Sequence, residues 1–329
     1  MKLRRDFLFV VTLAATAAAP ALGQTPAAGP AGSGTQGAAS IPDFSGIWSH
    51  PSFPGFEPPP SGPGPVVNTV RRPQITAADG QILPPNNRLL VSNPAKLAGD
   101  YANPILKPQA AEAVKKKGEI ELGGTVSPTP TIQCWPEPVP YIFNGVGMQM
   151  FQQPDKTIFL YPNDHQVRYV SMNRPHPAHV TPSWYGDSVG HYEGDTLVID
   201  TVGVRTDRPF AMVDFYGTPY SPALHVVERY RLLDYEAAKE GMERDAHENL
   251  RPAGGANAGS APRADYRGKH LQLAFTVEDP NVFTMPWSAT ITYRRGFEDW
   301  EEVVCTENTQ ELILAGRGDA IPKAAKPEF

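Results

Sequence analysis

From Tyr141 onward the chain repeats one theme: short runs of branched and aromatic residues, separated by turn residues at intervals too small to admit helices. Residues 157–161 turn at Pro162-Asn163-Asp164 into residues 166–172, and residues 188–192 turn at Glu193-Gly194-Asp195 into residues 196–201. Residues 224–233 form a further run. In residues 270–278, Leu271, Leu273, Phe275 and Val277 alternate with His270, Gln272, Ala274 and Thr276, the period-two signature of a strand with one core face. Residues 288–295 and 300–305, joined by Gly296-Phe297-Glu298-Asp299, complete a set large enough to close a barrel or build a sandwich. The predicted fold class is mainly β: an antiparallel meander with a few short helices and a proline-rich N-terminal segment.

Composition agrees with this. The 36 prolines and 29 glycines among 329 residues interrupt helices and favour turns and short strands. A net charge of −6 supplies no basic field for phosphates, so nucleic acid is excluded as an expected partner. Lys2, Arg4 and Arg5 precede the apolar run 7–19 and Ala21-Leu22-Gly23, which predicts a cleaved signal peptide over 1–23 and no membrane span after cleavage. Arg4-Arg5-Asp6-Phe7-Leu8 resembles the twin-arginine motif, so export runs by that route or by the general secretory one. Localisation is predicted to be periplasmic or secreted.

Residues 24–41 carry too little bulky apolar surface to order themselves and are predicted to be a disordered linker. The remainder, 42–329, is predicted to be a single β-rich domain. A helix is predicted over 105–121, with Lys115-Lys116-Lys117-Gly118 at its C-terminal end. Residues 234–268 form a loop and helix insertion, helical at first over 235–250, which is either a lid or a tolerated surface excursion. Cys134 and Cys305 are the only cysteines, and in an oxidising compartment they form one disulfide, the alternative being two buried thiols.

Residues 43–48, Asp-Phe-Ser-Gly-Ile-Trp, and residues 190–201, Gly-His-Tyr-Glu-Gly-Asp-Thr-Leu-Val-Ile-Asp-Thr, resemble the signature of a group of secreted bacterial proteins without an assigned role. That group starts Asp-Phe/Leu-Ser-Gly-Ile/Val-Trp and has a Trp-Glu-Gly-Asp-Thr-Leu-Val-Val-Asp-Thr core. Further matches are Arg174-Pro175-His176-Pro177, residues 221–229 with His225 and Glu228, Asp279-Pro280 before Pro286-Trp287, and Cys305 with Glu307-Asn308. Asp187, Tyr192 and Tyr220 depart from the residues common in relatives, which are His, Trp and His. The Gly-x-Trp start with a meander also looks like a lipocalin-type barrel, a cup of strands around an apolar ligand.

The matched stretches supply the candidate site. Along 224–233, period two places His225, Val227, Arg229 and Arg231 on one face and Val226, Glu228, Tyr230 and Leu232 on the other. An ionisable group inside an apolar cup has a displaced pKa suited to proton transfer near neutrality. His225, Glu228 and His176 are the candidate catalytic residues. Arg174, Arg229, His191, Tyr230, Trp287 and Glu307 are the candidate substrate-binding residues, with Arg229 an oxyanion or carboxylate clamp. The competing reading is a Glu–Arg pair that ties neighbouring strands together.

His176, His179 and His191 suggest a metal, but prolines 175, 177 and 182 hold an extended loop in which the imidazoles need not converge. No metal or other cofactor is therefore assigned. Gly186-Asp187-Ser188-Val189-Gly190 precedes a hairpin rather than a helix, which excludes a hydrolase elbow, and Gly254-Gly255 lacks the lysine of a phosphate loop. The expected function is binding of a hydrophobic or aromatic small molecule, with cofactor-free elimination or isomerisation, that is, a lyase or isomerase. The alternative is a non-catalytic ligand-binding or structural envelope protein. An internal cavity lined by His225 or Glu228 favours the former, and a filled core favours the latter.

Overall fold

A computed structural model describes residues 41–50, 62–69, 97–123, 127–208, 211–247 and 266–296, together with residues 56, 59, 75–76 and 82–83. The expected signal segment, residues 24–40 of the linker, the end of the insertion and the strand at 300–305 lie outside the described residues, as do Cys305 and Glu307.

In chain order the strands are β1 (Gly46–Ser49), β2 (Ile75–Thr76), β3 (Ile82–Leu83), β4 (Gly147–Gln152), β5 (Lys156–Leu160), β6 (Val167–Met172), β7 (Asp187–Glu193), β8 (Thr196–Val202), β9 (His225–Leu233), β10 (His270–Glu278) and β11 (Trp287–Arg295). Two helices, α1 (Pro108–Leu122) and α2 (Tyr235–His247), accompany them. β2 and β3 pair only with each other, and the other nine strands close a barrel in the order β1, β4, β5, β6, β7, β8, β9, β10, β11. The protein is thus mainly β, and of the two expected architectures it is the barrel.

The barrel is not a pure antiparallel meander. β6 and β7 run parallel, with Ser171 opposite Val189 and Met172 opposite Gly190. The cause is the connection 173–186, which returns along the wall so that β7 starts at the end where β6 started; a parallel pair requires a crossover of this kind. Gly186 makes the re-entry at φ +72°, where a Cβ would run into the Val202 carbonyl.

Alternation decides what each strand buries. Arg168, Val170 and Met172 of β6, Leu197, Ile199 and Thr201 of β8, Val226, Glu228 and Tyr230 of β9, and Leu271, Leu273, Phe275 and Val277 of β10 are all buried. Trp48, Phe159, Phe275, Trp287 and Tyr293 fill much of the same space. The Gly-x-Trp start has a physical role here. The Trp48 indole donates to the Phe44 carbonyl at 2.7 Å, and the Arg295 guanidinium lies 4.2 Å above its ring. Arg295 occupies the space a Cβ at Gly46 would need.

The lysine run does not end its helix. α1 continues through Gly118 to Leu122, because Lys117 is buried and pairs with Glu121 one turn later at 2.7 Å. Pro108 opens the helix at a position where its missing N–H costs nothing. Among the described residues no helix is long and apolar enough to cross a membrane.

Candidate functional site

Among the described residues, the inward face of the barrel carries the charged pair of Arg168 and Glu228. Glu228 is 0% exposed and Arg168 1%. Arg168 Nη1 donates to Glu228 Oε2 at 3.0 Å and Nη2 to Oε1 at 2.6 Å, a two-point grip. Nη2 also reaches Thr201 Oγ1 at 2.8 Å and Ser188 Oγ at 3.0 Å, Nε reaches Ser188 Oγ at 3.2 Å, and the Tyr230 hydroxyl donates to Glu228 Oε2 at 2.8 Å. Burial opposes the Arg168 charge, yet the adjacent Glu228 holds its pKa above the ordinary arginine value. Burial and the Glu228 charge push the Tyr230 phenol well up. This Glu–Arg pair spans the barrel from β6 to β9 rather than tying neighbouring strands, and Arg229 pairs instead with Glu193.

Sequence reasoning passed over Arg168, although a signal was there: within 166–172 it alternates with Val170 and Met172, which places a cation on the core face. An inward cation requires an inward anion, and Glu228 is one on β9.

A second constellation lies on the outer wall. His176, from the crossover 173–186, places Nδ1 2.7 Å from Asp187 Oδ2 at the start of β7 and Nε2 3.0 Å from Asp200 Oδ1 on β8. His225, at the start of β9, places Nε2 3.0 Å from both Asp200 oxygens and Nδ1 3.6 Å from Glu278 Oε2 at the end of β10. Arg174 Nη2 donates to Asp187 Oδ1 at 2.7 Å. The result is an alternating string: Arg174, Asp187, His176, Asp200, His225, Glu278.

Both nitrogens of each imidazole face a carboxylate. For Asp200, partial burial pushes the pKa up, but hydrogen bonds from His225 and His176 win and hold it below the usual carboxylate range. Asp187 behaves alike, with His176 and Arg174 overcoming burial. The Asp200 hydrogen bond holds His225 above the usual histidine value. Among the described residues no group of three or more His, Cys, Asp and Glu side chains is arranged to hold a metal ion.

The other candidates are dispersed. Arg229 and His191 meet on the outer wall through Glu193, at 2.7 Å from Arg229 Nη1 to Oε2 and 3.1 Å from His191 Nε2 to Oε1. Trp287 is a core residue in edge contact with Phe275 and Phe283. The structure thus brings together His225, His176 and Arg174 outside and Glu228 with Tyr230 inside, and it separates the two groups by the barrel wall.

An apolar groove of 430 Å³ lies where residues 63–67 and 103–105 meet the β10–β11 connection, lined by Pro63, Gly64, Pro65, Val67, Pro104, Ile105 and Met285, with Asn103. Asn103 is occupied internally: its Nδ2 donates to the Pro65 carbonyl at 3.3 Å and its Oδ1 accepts from the Ile105 amide at 3.1 Å.

Fold and sites together define a closed, mixed β-barrel protein with a self-paired polar interior and an ion-paired outer wall. No family model matches the chain, and neither a curated protein nor a solved structure does.

Proposed function

We propose that this is a small-molecule-binding β-barrel protein acting outside the cytoplasm, and that it takes a small hydrophobic or aromatic ligand at the outer groove without transforming it. The observation that carries the reading is the groove itself. Its 430 Å³ falls in the range of small-molecule sites, and its walls are apolar, with the one polar side chain already occupied. Exposed Met285 and Val67 leave apolar surface open to a ligand. The positively charged start and apolar run of the first residues support export, as does the resemblance to secreted proteins.

The lyase or isomerase reading has less support. Glu228 has both carboxylate oxygens engaged, and the two histidines have every ring nitrogen facing a carboxylate, so neither group presents a vacant atom to a substrate.

A neutral fluorescent naphthylamine probe tests the proposal. Saturable enhancement is expected with the full mature chain, with an affinity loss of about tenfold in Met285→Asp or Val67→Asp. Unchanged affinity in both variants, or no saturable signal, sinks it.

A further inference from the structure

Beside the β5–β6 turn lies a second group of side chains that neither sequence motif touches. Arg208 lies against the Trp184 ring at 4.4 Å. Its Nη2 donates to the Tyr220 hydroxyl at 2.8 Å and its Nη1 to the Pro136 carbonyl at 3.3 Å. No carboxylate among the described residues bonds it. The neighbouring Asp207 is committed to Arg205 through two hydrogen bonds of 2.6 and 2.5 Å. The Arg208 Nε–H is buried with no partner among the described residues. Asp207 feels the Arg208 charge but makes no hydrogen bond to it, and a half-buried guanidinium with an unpaired N–H is costly, a cost that a bound anion relieves.

Next to Pro136 stands Glu137, which is 4% exposed. One oxygen, Oε1, accepts from Thr131 Oγ1 at 2.6 Å and Asn163 Nδ2 at 3.2 Å, while Oε2 accepts from no donor among the described residues. Gln166 Oε1 ties the group to its surroundings, accepting from the Glu137 amide at 2.6 Å and from the Tyr185 hydroxyl at 3.0 Å. Burial raises the Glu137 pKa to about 7 against the two hydrogen bonds, and the Asp164 charge raises it further. The other titratable groups facing it are the Tyr141 and Tyr185 phenols, and Tyr185 also lies in the field of Arg208. Trp135 stands 6.0 Å from Trp184, ring centre to ring centre. Backbone at Cys134, Asp164 and His165 adopts φ of 53°, 56° and 50°, in the left-handed region that Asp and His enter more readily than most side chains.

We propose that Arg208, Glu137 and the Trp135–Trp184 pair form a binding site for a small organic carboxylate, with the guanidinium supplying charge and the Glu137 carboxyl a hydrogen bond. A neutral carboxyl can donate where an ionised one repels, so affinity follows the proton on Glu137.

The test uses benzoate, which stays ionised over the range of interest, against benzamide as the uncharged control, followed by intrinsic tryptophan fluorescence and calorimetry on the full mature chain. Saturable benzoate binding is expected to tighten about tenfold between about pH 8 and about pH 6. Arg208→Gln is expected to weaken it at least about tenfold, with Arg208→Lys intermediate. Glu137→Gln keeps both acceptor bonds and a permanent donor, so it is expected to bind with the pH dependence gone. Circular dichroism verifies that each variant is folded. Absence of a saturable benzoate response, equal binding of benzamide, or wild-type affinity in folded Arg208→Gln overturns the site. A persistent pH slope in Glu137→Gln overturns the role given to Glu137.

Discussion

Arg168 and Glu228 are a pair whose value depends on both members being present. Each is desolvated, so removing one leaves the other charged in a space without water. Glu228→Gln or Arg168→Met is expected to cost about 3–5 kcal/mol in urea unfolding, whereas the double change Arg168→Met with Glu228→Leu recovers most of the loss.

Two other buried carboxyls set a pH trend. Burial raises Glu137 to about 7 and Asp214 to about 6, the latter against hydrogen bonds from Thr218 and Tyr216. For a group whose folded pKa is raised, the stabilising contribution is complete below the unfolded value, about 4.5 or lower, and disappears as pH rises through the folded value. Thermal stability is therefore expected to fall between about pH 4.5 and about pH 7, and to fall less in Glu137→Gln. A melting temperature that rises across this interval contradicts the assignment. Of these residues, sequence reasoning singled out only Glu228, because periodicity exposes a charge on a strand's core face but says nothing of Glu137 in an irregular segment where no period exists.

At the level of elements, the ion-paired string fastens the crossover 173–186 to β7, β8, β9 and β10. Its pH signs oppose one another. The raised His225 pKa gives stability that is lost as pH climbs through its folded value, and the lowered Asp187 and Asp200 give stability that is lost as pH falls through theirs. The fastening is thus fullest between about pH 4 and about pH 6.5. Asp200→Asn is expected to speed amide hydrogen exchange in 173–186 at about pH 6 and to have little effect at about pH 9. Equal effects at both pH values refute the charged string.

The strands were legible because alternation is a local property: 270–278 reads the same in sequence and in space. The face assignment of 224–233 was legible for the same reason, with Val226, Glu228 and Tyr230 inward and Arg229 outward. The parallel β6–β7 pair was not, since two strands joined by a long proline-bearing segment can meet in either sense and only tertiary contacts decide. Lys117 was misread for a related reason. A lysine run resembles a helix end until a glutamate one turn on draws one member inside.

For the whole molecule, a Cys134–Cys305 bridge would join the stretch between α1 and β4 to the chain beyond β11. Mass spectrometry is expected to show the intact chain two hydrogens lighter than the reduced one, and reduction is expected to lower stability by about 2–5 kcal/mol. Equal masses exclude the bridge.

Closure itself has a consequence for how such a chain is made. β1, only Gly46–Ser49, is the keystone of the ring, pairing with β4 on one side and with Arg294 and Arg295 of β11 on the other. The last described strand to be synthesised therefore meets the first, and every nascent length that lacks it leaves β1 and β10 each with one unpaired edge. Folding must wait for that far-separated encounter, which is slow. A truncation before residue 287 leaves β1 without its second neighbour and the whole wall open to self-association.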